Sequence, residues 1–171
     1  MRRSAVVLSL LFLTSTLGGF ATSQTPSTIT VDGDLSDWSA DELMSSSNID
    51  LHMTWDASNL YIGWDGTDWK STSEGADLFV YLNTSTDGSV LSKDWGFSHT
   101  LPFAANYGFV LEDDTYFRLV SYDGSAWVDS TYVVDLFAGW EGNMVTELAI
   151  PWAEILSLIH ISEPTRPRLI A

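Results

Sequence analysis

From residue 28 to residue 155, apolar and polar positions alternate in short runs broken by turn residues. No long stretch repeats at helical spacing. Ile49, Leu51, Met53 and Trp55 alternate with Asp50, His52 and Thr54, which predicts a strand with one buried face and one wet face. Asp56-Ala57-Ser58-Asn59 supplies turn chemistry and returns the chain into a second strand over 60–65, making a hairpin. Residues 78–82 are continuously apolar, as suits a central strand covered on both faces. Residues 107–111 and 116–122 flank an acidic turn and predict a second hairpin; Asp123-Gly124 then turns into 126–128. Further strands are predicted over 28–31, 131–137 and 144–150, with helical turns only at 41–44 and 152–155. Short strands at this spacing predict an all-β, antiparallel β-sandwich. Its expected core includes Trp38, Trp55, Leu60, Ile62, Leu78, Val80, Leu82 and Ile150.

The two ends read differently from the middle. Met1-Arg2-Arg3 followed by an apolar run from Ala5 to Leu13, then small residues at Ala21-Thr22-Ser23, has the build of a secretory signal peptide cut after Ser23. The run is shorter than the roughly 18–20 residues that span a bilayer, so a cleaved leader is expected rather than an anchor. Residues 24–27 are then a polar lead-in to a domain at 28–155. At the other end, residues 156–166 (Leu-Ser-Leu-Ile-His-Ile-Ser-Glu-Pro-Thr-Arg) match one translation frame of a common transposase sequencing adapter. Residues 156–171 are therefore expected to be an artefactual tail, and the sandwich to be incomplete at its C-terminus.

Charge and cysteine content narrow the function. The chain carries 23 carboxylates against seven Lys and Arg, for a net charge of −16. All the carboxylates except Glu163 fall within 24–155, whereas only Lys70, Lys93 and Arg118 of the cations do. Such a surface repels phosphate, so neither nucleic acid nor an anionic membrane is an expected partner. With no cysteine, export has not brought disulfides to this fold.

Four strings carry a resemblance. They are Val31-Asp32-Gly33-Asp34-Leu35-Ser36-Asp37-Trp38, Leu60-Tyr61-Ile62-Gly63-Trp64-Asp65, Ala76-Asp77-Leu78-Phe79-Val80-Tyr81-Leu82-Asn83 and Glu147-Leu148-Ala149-Ile150-Pro151-Trp152. In this order over residues 29–155, they resemble the family 9 carbohydrate-binding modules and the wider DOMON-like sandwich group. The resemblance implies a non-catalytic glycan-binding domain of a secreted or cell-surface protein, with Trp38 as a tryptophan plugging the end of the sandwich. It also implies one or two further strands after Pro151-Trp152. The chain departs from the family at the sugar site. Ser73-Glu74-Gly75 stands where one sandwiching tryptophan is expected, and Phe79 replaces a sugar-contacting glutamate.

Tryptophan is the chemical lead: eight occur, all between residues 38 and 152. Sugars stack their C–H faces on aromatic rings while hydroxyls bond to nearby polar side chains. Trp38, Trp55, Trp64 and Trp152 sit in or beside strands and are read as structural. Trp69, Trp95, Trp127 and Trp140 lie in loops or at strand ends. They are the candidate carbohydrate-binding rings, with Asp68 and Lys70 as the flanking acceptor and donor; scattered exposed aromatics are the plainer reading. No cofactor is expected, although a structural calcium ion is open at Asp32, Asp34 and Asp37 or at Asn83 and Asp87, where hard oxygen ligands gather in turns. Two other readings stand beside the glycan module. One is an adhesive surface domain without a small ligand; the other is a haem-binding DOMON-type domain using His99 with Met53 or Met144. No nucleophilic triad and no His or Cys metal cluster is legible, so no enzymatic activity is expected.

Overall fold

The computed structural model describes residues 4–11, 26–46, 50–66, 76–84, 87–93, 96–112, 116–130 and 134–155. Twelve strands are described among them. They are β1 (Ser4–Leu11), β2 (Leu43–Ser46), β3 (Asp50–Trp55), β4 (Asn59–Asp65), β5 (Ala76–Asn83), β6 (Ser89–Leu91), β7 (Thr100–Ala105), β8 (Tyr107–Glu112), β9 (Tyr116–Tyr122), β10 (Trp127–Asp129), β11 (Asp135–Phe137) and β12 (Val145–Pro151). One sheet has the order β1-β5-β8-β9-β10, a second β11-β12-β4-β3-β2, and β6 pairs with β7 alone. Every pairing is antiparallel except β1 with β5, which is parallel.

The two large sheets pack face to face, as the alternation predicts. Leu78, Val80, Leu82, Phe109 and Leu111 of the first sheet meet Leu60, Ile62, Trp64, Leu148 and Ile150 of the second in one buried cluster. The β3–β4 hairpin forms where expected. Asp56 Oδ1 accepts the amide N–H groups of Ser58 and Asn59 at 2.7 and 2.8 Å, an Asx turn that reverses the chain. β5 is covered on both faces. Leu78, Val80 and Leu82 enter the inter-sheet core, while Phe79 and Tyr81 join a second cluster with Leu101, Ala105 and Val110 beneath β6 and β7.

Several expectations are corrected. Residues 28–31 form no strand, because this segment crosses the outer face of the second sheet and spends its polar groups on side chains. Thr30 N–H donates to Asp37 Oδ2 at 2.7 Å, and Asp32 N–H to Glu147 Oε2 at 2.9 Å. The same crossing covers the polar phase of β3, so Thr54 is buried and His52 half-buried instead of wet. Trp55 shares the inward phase but stands at the end of β3 beside the turn, and is only half-buried. Trp38 is buried, but against the outer face of the second sheet with Ile29, Tyr61 and Ala149, and so does not plug the sandwich end. The strand expected over 131–137 is described only as β11. A helical turn occurs at Trp152–Ile155 as expected; the turn expected over 41–44 is instead at Ala40–Glu42, with Leu43 and Met44 opening strand β2, and another lies at Leu35–Asp37.

Candidate functional site

Residues 26–42 form a strap over the second sheet, leading into its edge strand β2, and three carboxylates hold it there. Glu147 is fully buried on β12, opposite Gly63 of β4, which is itself opposite His52 of β3. The indole of Trp38 lies on Gly63, where a Cβ would come within 2.8 Å of the ring. From there its Nε1–H donates to Glu147 Oε1 at 2.8 Å, and its ring centroid is 5.5 Å from that of His52. The other carboxylate oxygen accepts the amide N–H groups of Asp32 and Gly33 at 2.9 and 2.6 Å. Three donors aimed at one buried carboxylate satisfy the charge that burial would otherwise penalise. The first and last of the four resemblance strings are thus joined through Glu147. Sequence reasoning missed this residue; its signal was a lone carboxylate inside a mostly apolar strand.

The second and third anchors are Glu42 and Asp56. Glu42 is buried and accepts from the Ser27 hydroxyl and from the Ser39 amide. Burial pushes its pKa up, but hydrogen bonds from Ser27, Thr54 and Ser39 overcome this and hold it below the ordinary glutamate value. Asp56 also feels desolvation upward, yet the Ser58 and Asn59 amides and the Tyr61 and Thr28 hydroxyls bring it down to about 2. Under the strap, burial lowers the His52 pKa, with Asp50, Glu42 and Asp65 pulling against it. The strap borders a groove of about 670 Å³ whose polar lining includes Asn59, Tyr61 and Asp135. Tyr61 is buried there and donates its hydroxyl to Asp56 Oδ2 at 2.8 Å, so the groove offers no exposed aromatic platform.

A cluster of rings lies elsewhere, with Tyr81 buried and Tyr122 and Trp127 half-buried. On the outer face of the first sheet, Tyr81, Gly108, Val120 and Asp129 form one row across β5, β8, β9 and β10. Gly108 is a notch in that row. A Cβ there would meet Val120 Cγ2 at 2.8 Å and the Tyr81 ring at 3.1 Å, so glycine lets the tyrosine lie across β8. Tyr81 thereby reaches Trp127, with ring centroids 5.5 Å apart in an edge-to-face arrangement. Tyr122, the cross-strand partner of Trp127, meets the indole from another side at 5.7 Å. The indole Nε1–H donates to the Leu91 carbonyl at 2.8 Å, tying the ring to β6. The turn that delivers Trp127 is built by Asp123, whose Oδ1 accepts from the Ser125 and Ala126 amides, with Gly124 at φ 96°.

Polar groups flank this half-buried ring. Lys93 Nζ lies 3.9 Å from Asp129 Oδ1, and Lys93 N–H donates to the Tyr81 hydroxyl at 3.2 Å. Ser92 N–H donates to the His99 carbonyl and Ser92 Oγ accepts the His99 N–H, pinning both ends of the loop over 92–99. The arrangement provides a fixed ring, an ammonium and a carboxylate side by side, which is chemistry for holding a polyhydroxylated ligand by its face and its hydroxyls.

Of the sequence candidates, Trp127 is placed in this cluster. Trp140 is exposed on the turn between β11 and β12, beside Glu141 at φ 54°, and belongs to the other sheet. The two rings therefore do not share a platform. Trp69, Trp95, Asp68 and Lys70 lie outside the described residues. The calcium candidates turn inward on their own backbone. Asp32 Oδ1 accepts from the Asp34 amide, Asp34 Oδ1 from the Ser36 amide, and Asn83 donates to the Ala104 carbonyl. No group of three or more metal-binding side chains occurs among the described residues. His99 meets Phe97 edge-to-face outside the first sheet while Met53 packs into the inter-sheet core, so that haem pair is on opposite sides of a sheet; Met144 is exposed just before β12. Comparison with known proteins yields no match, either to a family model or to a curated protein.

Proposed function

We propose that this chain is a non-catalytic, carbohydrate-binding-module-like domain, exported by residues 1–23, that holds glycan against the ring of Trp127. The observation that carries the reading is the fixing of Trp127 by Tyr81, Tyr122 and the Leu91 carbonyl, next to Lys93 and Asp129. A ring locked in advance loses little entropy on stacking, and the two charged side chains offer a donor and an acceptor to sugar hydroxyls. The ordered resemblance of the four strings to family 9 modules and DOMON-like domains supports the same reading. So does the acidic surface, which disfavours polyphosphate partners.

The test is retention on a panel of insoluble polysaccharides. Trp127→Ala should weaken binding about 3- to 10-fold, the equivalent of ~0.5–1.5 kcal/mol of stacking, without lowering the melting temperature by more than a few degrees. Trp140→Ala should leave retention unchanged. An adhesive domain is the second reading, favoured by Val90, Leu91, Phe97 and Val128, exposed hydrophobics of β6, β10 and the loop after β6. A parent protein that ignores every polysaccharide would leave that reading in place of the first.

A further inference from the structure

The ends of the two large sheets are not equally protected. β10 and β11 are three residues long and carry Asp129 and Asp135, and β2 is broken by a register shift between Leu43 and Ser45. Short, charged or irregular edges of this kind resist pairing with another chain. β5 is different. It runs eight residues from Ala76 to Asn83 with no Pro or Lys, is apolar on both faces, and pairs with β1 over its whole length without a bulge, from Ser4 opposite Ala76 to Leu11 opposite Asn83. The strand that covers this edge is the apolar run of the leader. Its removal on export, which rests on the secretion reading above, turns β5 into the one long flat edge of the described sheets.

The sequence of β5 says what fits there. Asp77-Leu78-Phe79-Val80-Tyr81-Leu82-Asn83 reads nearly the same in both directions. A two-fold axis midway between Val80 and its equivalent, perpendicular to the sheet, keeps odd residues on one face and even residues on the other, as an isologous antiparallel pairing requires. In that register Val80 meets its own equivalent, and Phe79 lies opposite Tyr81 of the partner subunit. Leu78 then lies opposite Leu82 of the partner subunit, and Asp77 opposite Asn83 of the partner subunit. Aromatic meets aromatic, leucine meets leucine, and the single charge faces an amide rather than another carboxylate.

We propose that the outer edge of β5 is a strand-accepting slot, held by β1 before export and by β5 of a second copy afterwards, giving a two-fold dimer. The leader is then a placeholder that keeps the slot closed until the chain is processed.

The experiment is sedimentation of the exported protein at tens of micromolar, with its mass read by mass spectrometry. A processed chain at twice the monomer mass is expected, and the unprocessed full chain should remain a monomer. Asn83→Asp sets a carboxylate opposite Asp77 twice across the axis and should weaken dimerisation about tenfold. The double variant D77N/N83D restores the amide–carboxylate pair and should recover the dimer. That recovery separates register pairing from the loss of the Asn83 bond to the Ala104 carbonyl, which both variants share. A processed monomer, or a double variant no tighter than N83D, overturns the slot alone. Retention of residues 1–23 on the exported protein overturns the secretion reading and the slot with it.

Discussion

Replacing Glu147 with glutamine should loosen the strap while changing almost no volume. Three N–H donors converge on the carboxylate, two on Oε2 and one on Oε1. A glutamine whose carbonyl takes the Oε2 place keeps Asp32 and Gly33, but turns its NH₂ against the indole N–H of Trp38. The opposite orientation keeps Trp38 and loses both amides. Either way at least one buried donor goes unsatisfied, costing about 1–3 kcal/mol, and the surviving bonds lose the charge that strengthened them, for a total of about 2–4 kcal/mol. In a domain of this size, that corresponds to a fall of roughly 10 °C in melting temperature. Urea denaturation gives the free energy, and hydrogen exchange at Asp32 and Gly33 tells strap release from global loss. A cycle with Trp38→Phe should show coupling, since both changes remove the same bond. If Glu147→Gln stays within about 0.5 kcal/mol of the parent, the normal surface-mutation range, with exchange at these amides unchanged, the clamp does not hold the strap.

Other expectations follow from the same geometry. The pKa values of Glu42 and Asp56 are held below their unfolded values of 4.5 and 3.8, so the stability they contribute is present above those values and lost as pH falls below them, for Asp56 down through about 2. The urea midpoint should drop across that window, and Asp56→Asn should flatten part of the drop. His52 has a pKa lowered by burial, so its protonation favours the unfolded chain as pH falls below its ordinary 6.5; His52→Gln should remove that part of the pH dependence. Trp64→Ala, in the inter-sheet core, should cost ~3–5 kcal/mol by opening a cavity, against little change in the melting point for Trp127→Ala. Gly108→Ala should push on Val120 and Tyr81, destabilise by about 1–3 kcal/mol, and weaken glycan retention; unchanged retention would mean that Tyr81 does not seat Trp127.

The sandwich was legible because its signals are local. Period-two alternation in β3, the unbroken apolar run of β5, and the Asp56 and Asp123 turns each declare themselves within a few residues. What lay across the outer faces was not legible. Residues 28–31 have the composition of a strand, yet the Thr28 hydroxyl goes to Asp56 and the Thr30 amide to Asp37, and the next residue, Asp32, bonds Glu147 more than a hundred residues away. Only that long-range closure makes Thr54 buried and moves Trp38 to the outside of a sheet. The hairpin of β6 and β7 was missed for the opposite reason: β6 is three residues long and shows no period. For the candidate site, the composition argument named Trp127 only as one of four rings, and not its supports, since Tyr81 and Gly108 act through a cross-strand row that no sequence window contains. Trp140 passed the same test of polar neighbours, although it stands on the other sheet.

The most direct measurement of the binding claim follows the indole N–H resonances of the parent protein while a soluble oligosaccharide is added. The Trp127 Nε1–H and the backbone amides of Tyr122, Lys93 and Asp129 should shift together with one dissociation constant, leaving the Trp38 and Trp64 indoles unmoved. Shifts centred on Trp140, on the groove beside Asp135, or nowhere at all would contradict the assignment of Trp127 as the platform.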